Sequence, residues 1–179
     1  IIVQGGIQPC MIWNSDSVVF IGVNDKTIDL FESQYKVPKG VSYNSYVLLD
    51  EKNVLFDTVD WSVCGQFLEN LKHVLDGKKL DVIVIHHVEP DHLASLEEVM
   101  LRYPEARIYA TAKAITMMEQ FGFAVEGKTQ AVKEGDTLEL GKHTLTFVMA
   151  PMVHWPEVMV SYDSYGKTLF SADAFGTFG

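Results

Sequence analysis

Cysteine is scarce in this chain of 179 residues, and so is positive charge. Cys10 and Cys64 stand alone, with no C-x-x-C pair. That excludes a disulfide framework and a four-cysteine iron or zinc site. Two isolated cysteines suit a reducing cytosol, so a cytoplasmic location is the expectation. Lys and Arg number 14 against 24 Asp and Glu, for a net charge of −10. No nucleic-acid partner is expected, because neutralising phosphates takes clustered basic side chains. The acidity itself mainly favours solubility. No apolar run approaches the ~20 residues that span a bilayer, so no membrane partner is expected either. The opening segment, Ile1 to Gly6, lacks the basic start and long apolar core of a secretion signal. Repeats, low-complexity tracts and linkers are also missing, and residues 1–179 read as one domain or most of one.

What the chain does have is a dense cluster of metal-capable side chains. His87-Val88-Glu89-Pro90-Asp91-His92 places two imidazoles and two carboxylates within six residues. It follows the apolar run Val82-Ile83-Val84-Ile85 and precedes a helix-like stretch from Leu93 to Leu101. A loop at the end of a buried strand is where a scaffold holds ligands rigidly. Alternation puts His87, Glu89 and Asp91 on one side of an extended segment, and the turn at Pro90 brings His92 round. So many donors exceed what one metal takes from so short a segment and suit a pair of metals.

The pattern H-x-[EH]-x-D-H resembles the metal signature of the metallo-β-lactamase-like superfamily. The version with Glu89 in third place looks like the flavodiiron proteins. His154, in Ala150-Pro151-Met152-Val153-His154-Trp155-Pro156, and Asp173, in Leu169-Phe170-Ser171-Ala172-Asp173-Ala174-Phe175-Gly176, extend the resemblance. So does Gly40-Val41-Ser42-Tyr43-Asn44-Ser45-Tyr46. The resemblance implies that His87, Glu89, His154 and Asp173 hold one iron. It implies that Asp91, His92 and Asp173 hold the other, with Asp173 as the bridge. Family members supply one further His to the second iron from beyond the position of Asp173. The chain stops at Gly179, so a fragment lacking the C-terminal part of the domain is expected. No flavodoxin domain is in view, and FMN is expected only if such a domain or partner is present. Leu93-Ala94 stands where the family often has Ser-Gly, a departure beside the pocket entrance.

Periodicity gives a layered α/β reading. Strands are expected over 18–23, 46–49, 53–57, 82–85, 107–110, 129–132, 137–140, 143–149, 158–162 and 168–171. Helices are expected over 62–75, 93–101 and 112–120, the first ended by Asp76-Gly77 and the last by Gly122. This agrees with the αββα sandwich that the resemblance implies, incomplete at its C-terminus.

Three features need weighing. Gly122-Phe123-Ala124-Val125-Glu126-Gly127-Lys128-Thr129 matches the P-loop pattern, but a helix precedes it and strands follow, the reverse of the P-loop context. Its apolar interior suits a strand packed in the core. His86 is adjacent to the motif, yet the H-x-E spacing selects His87, so His86 is read as a satisfied core or supporting residue. His73 and His143 are read as surface or helix residues with no partner in view.

Glu89 in place of a His adds a hard oxygen donor. Mixed imidazole and carboxylate sites with open positions suit redox-active iron, whereas nitrogen-rich sites suit zinc. The resemblance implies a carboxylate-bridged diiron centre that binds O2 or NO and reduces them to water or nitrous oxide. An electron donor of flavin or rubredoxin type, or a signalling partner, is then expected. So is a homodimer, since family dimers bring one subunit's flavin to the other's iron. An oxygen sensor without turnover is the alternative. A dinuclear hydrolase is opposed by Glu89.

Overall fold

The structure, a computed structural model, describes residues 12–13, 15–31 and 33–176. Cys10 and the opening segment lie outside the described residues. The chain runs β1 (Ile12–Trp13), β2 (Val18–Phe20), β3 (Val23–Asp25), β4 (Leu30–Phe31), β5 (Tyr35–Lys36), β6 (Val41–Tyr43), β7 (Tyr46–Leu48) and β8 (Val54–Phe56). A 3-10 turn at Trp61–Val63 then leads into α1 (Cys64–Leu75). Next come β9 (Val82–Val84), α2 (Pro90–Leu93), α3 (Leu96–Arg102), β10 (Arg107–Thr111), α4 (Ala112–Gln120) and β11 (Thr129–Val132). The last third is β12 (Thr137–Glu139), β13 (Thr144–Met149), β14 (Met159–Asp163) and β15 (Thr168–Phe170).

Two sheets carry the architecture. One has seven strands in the order β1-β2-β7-β8-β9-β10-β11, and the other has four in the order β12-β13-β14-β15. The strands β8, β9, β10 and β11 run parallel, joined through α1, α3 and α4. Antiparallel pairs make the rest, hairpins except for the pairing of β2 with β7. Alternation along the large sheet decides the layers. Val19, Val47, Leu55, Ile83 and Ile108 face a core shared with the helices. Val18, Leu48, Val54, Phe56, Val82 and Val84 face the small sheet and meet Leu145, Phe147, Met159 and Phe170. All four helices send their buried apolar residues into the first core. The described residues therefore form helices, sheet and sheet of the expected sandwich, with no described helix over the outer face of the small sheet. Among the described residues, no helix is long and apolar enough to cross a membrane.

The local signals explain the element ends. Asp76 and Gly77 take positive φ of 45° and 80° and close α1. Thr111 caps α4 by accepting the Ala114 amide at 3.0 Å.

Several expectations need correction. The strand expected over 18–23 breaks after Phe20. A Cβ at Gly22 would collide with the Tyr43 carbonyl, and the Ile21 and Gly22 amides both donate to the Ser45 carbonyl, at 2.9 and 3.1 Å. The helix expected from Leu93 to Leu101 divides into α2 and α3 at Ala94-Ser95. There the Ser95 hydroxyl bonds the Val59 carbonyl instead, at 2.9 Å. Strands β1, β4, β5 and β6 carried no strong alternation. Residues 122–128 form a loop rather than a strand, with Gly122 and Gly127 at positive φ and Val125 buried. The P-loop context is absent there, as expected. His143 is neither exposed nor alone: it is buried, pairs through Nδ1 with Asp163 at 2.8 Å and packs edge-on to Tyr165.

Candidate metal centre

The ends of both sheets converge on one spot. The segment after β9 delivers His86, His87 and Glu89, and α2 follows at once with Asp91 and His92 on its first turn. Pro90 opens α2, where its missing N–H costs nothing. The loop between β13 and β14 brings His154, and the turn after β15 brings Asp173. All six residues predicted from the sequence meet here.

They meet as two groups sharing one member. Donor atoms of His87, Glu89, His154 and Asp173 all lie within 4.8 Å of one another, and so do those of Asp91, His92 and Asp173. Alternation along an extended segment holds for His87 and Glu89 but not for Asp91, which sits on α2 and joins the other group. In the first group, Glu89 Oε2 is 2.9 Å from His87 Nε2 and 2.8 Å from His154 Nε2. Asp173 Oδ2 is 3.4 Å from both imidazoles. In the second, Asp173 Oδ1 is 2.7 Å from His92 Nε2, and Asp91 Oδ2 is 3.6 Å from it.

These spacings fit metal ions. Ligands bound at about 2.1 Å to a common ion lie about 3–4 Å apart. The donor set is three imidazoles and three carboxylates. The carboxylates crowd together in a largely buried place, which is unfavourable unless cations join them. Asp91 Oδ1 is buried with no hydrogen-bond partner among the described residues, as a donor awaiting a cation would be.

In the protein's metal-free form the crowding shifts the ionisations. Burial pushes the Asp91 carboxyl up, and the neighbouring charges of Asp173 and Glu89 add to that. Burial would also raise Asp173, but its hydrogen bond to His92 and the surrounding imidazoles outweigh it and hold the carboxyl down. Burial works against a charged His92, yet Asp91, Asp173 and Asp57 together raise it well above the usual imidazole range.

Two buried carboxylates behind these candidate ligands escaped sequence reading. Asp57, at the end of β8, accepts the His86 amide at 2.7 Å and pairs with His86 Nδ1 at 2.9 Å. It also stands 3.6 Å from His92 Nδ1. The signal for it existed: a carboxylate ending an apolar strand, as at Asp173. Glu157, three residues beyond His154, pairs with His87 Nδ1 at 2.7 Å and accepts the Val88 amide at 3.1 Å. Nothing in the sequence singled it out. His86 is the satisfied supporting residue expected, bonded also to the Ser161 hydroxyl at 2.8 Å and stacked on Phe56.

Burial would raise Asp57, but the charge and hydrogen bond of His86, then the nearby imidazole of His92, hold its carboxyl far below the ordinary value of 3.8. A folded-state value below the unfolded one means that Asp57 stabilises the fold fully above the ordinary carboxylate range. That contribution is lost as pH falls below the range. In metal-stripped protein, D57N is expected to lower stability by about 1–3 kcal/mol near neutrality. The gap to wild type in urea midpoints should narrow below about pH 4. A gap that stays constant down to the acid limit would remove this role from Asp57.

Comparison with known proteins agrees with the geometry. The family described as ODP family beta lactamase matches residues 41–179. The chain belongs to this family. The ODP domain is 42% identical over 163 residues to the anaerobic nitric oxide reductase flavorubredoxin of Klebsiella pneumoniae, a match covering 90% of this chain and 34% of the relative. Its fold superposes on the flavodiiron protein of Giardia intestinalis with a TM-score of 0.88 at 27% identity, covering 98% of this chain and 42% of that one. It also superposes on the rubredoxin oxygen:oxidoreductase of Desulfovibrio gigas with a TM-score of 0.84 at 34% identity, covering 89% and 40%. The chain thus spans about a third of the length of the curated relatives it matches.

Proposed function

We propose that the ODP domain holds two irons and serves a reductase of O2 or NO, with water or nitrous oxide as product. The observation that carries this is the pair of donor groups sharing Asp173. His87, Glu89, His154 and Asp173 would hold one ion, and Asp91, His92 and Asp173 the other. A bound iron pair supplies two electrons together to a diatomic substrate. The chain's own part is to place and seal. His87 and His92 are buried, which keeps bulk water off that side of the centre, while His154 is 56% exposed on its side chain and lies on the open side. Glu89 favours iron over a zinc hydrolase because it replaces a nitrogen donor with a hard oxygen. The names of the relatives, a flavorubredoxin and a rubredoxin oxygen:oxidoreductase, support an electron donor of flavin or rubredoxin type. A homodimer in which subunits pair donor and acceptor, and a cytoplasmic setting, complete the proposal.

The test uses full-length protein purified without oxygen. About two irons per chain, as two donor groups require, and fast loss of NO or O2 with a reduced flavin donor are the expected results. Two irons that bind the gas without turnover would make the protein a sensor. Two zincs with esterase activity would make it a hydrolase.

A further inference from the structure

We propose that Glu157 is a positioning residue that makes the two metal positions electronically unequal by committing a buried negative charge to His87. This rests on the diiron reading above. Glu157 is 2% exposed, and its backbone carbonyl is held by the Thr111 hydroxyl at 3.0 Å, next to the cap of α4. One oxygen does all its hydrogen bonding: Oε1 takes both His87 Nδ1 and the Val88 amide. The other, Oε2, is buried and has no hydrogen-bond partner among the described residues. Burying a carboxylate with one oxygen unpaired is costly. A glutamine could meet the same two donors through its amide oxygen without burying a charge. What glutamate adds at this place is charge, and the ring it reaches is His87.

Among the described residues, the other position has no equivalent hydrogen bond. Asp57 is 3.6 Å from His92 Nδ1, too far for a hydrogen bond, and its oxygens are occupied by the His86 amide and ring. The bond from Glu157 leaves His87 Nε2 directed at Glu89 and Asp173. A carboxylate on Nδ1 makes an imidazole a stronger donor through Nε2 and favours the more highly charged ion there. The position served by His87 therefore has the lower potential of the two.

The test compares E157Q with wild type, both as full-length iron-loaded protein, by anaerobic redox titration and chelator competition. Glutamine keeps the two hydrogen bonds and removes the charge. The lower of the two one-electron potentials should rise, the upper should stay, and one iron should be lost to chelator about 10–100-fold more readily. E157D, which keeps the charge, should lie closer to wild type than E157Q does. Both potentials moving together, neither moving, or E157D matching E157Q would overturn the proposal. A second measurement needs no variant. In zinc-substituted wild type, 15N NMR should find the His87 proton on Nδ1, and a proton on Nε2 would overturn the proposal. Wild type holding fewer than two irons would instead bring down the diiron reading itself.

Discussion

Asp173→Ala is expected to empty both metal positions at once. Asp173 belongs to both donor groups, one carboxylate oxygen facing His92 and the other facing His87 and His154. Removing it leaves three donors in the first group and two in the second. The loss should exceed the 10–100-fold typical of a supporting residue, so that metal content falls below one per chain and reductase activity drops by about 100-fold or more. His154→Ala touches only the first group and should leave about one ion bound, held by the second group. Metal analysis of the two variants after gel filtration separates these outcomes. Two ions retained in D173A would mean that Asp173 is not shared.

The largest effect on stability is expected at Phe56. Its ring is 1% exposed, stacks on Phe170 at a centroid distance of 3.7 Å and lies parallel to His86 at 5.8 Å. Phe56 is therefore both a core residue between the sheets and the floor under the ring that engages Asp57. F56A should cost about 3–5 kcal/mol, because the site collapses only in part around the lost ring. For a chain of this size that is a fall in Tm on the order of 10 °C. His86 would lose its stack, and with it the placing of Asp57 beside His92, so metal affinity should fall too. Leu71→Ala, in the helix-side core, should cost about 2–5 kcal/mol and leave metal content unchanged in the folded fraction. Calorimetry with metal analysis on the same samples checks both. Normal metal content in F56A would detach the core from the site.

Much of the fold was legible along the chain. Helix α4 runs from Ala112 to Gln120 as its periodicity predicts, and the hairpin of β7 and β8 pairs Tyr46 with Phe56 and Leu48 with Val54. These elements have one apolar face and sharp ends, so local pattern and burial agree. The short strands β4 and β5 were not legible, because two residues carry no period. The breaks at Gly22 and at Ala94-Ser95 were not legible either. Both follow from backbone groups contacted across the fold, at Tyr43 and Ser45 for the first and at Val59 for the second.

The six candidate ligands, and the choice of His87 over His86, came from residue types and spacing read against the family motif, since both are properties of the chain. The two groups were implied by the family resemblance, and tertiary structure supplies their physical reason. Asp91 is two residues from Glu89 yet joins His92 in the other group, because the chain enters α2 at Pro90 between them. Tertiary structure alone decided the partners of Asp57, Glu157 and His143, each made a buried, paired group by elements that arrive from 20 to 70 residues away. A hydrogen bond of that separation has no local signature. Its energy depends on burial, and burial exists only once the two sheets have packed.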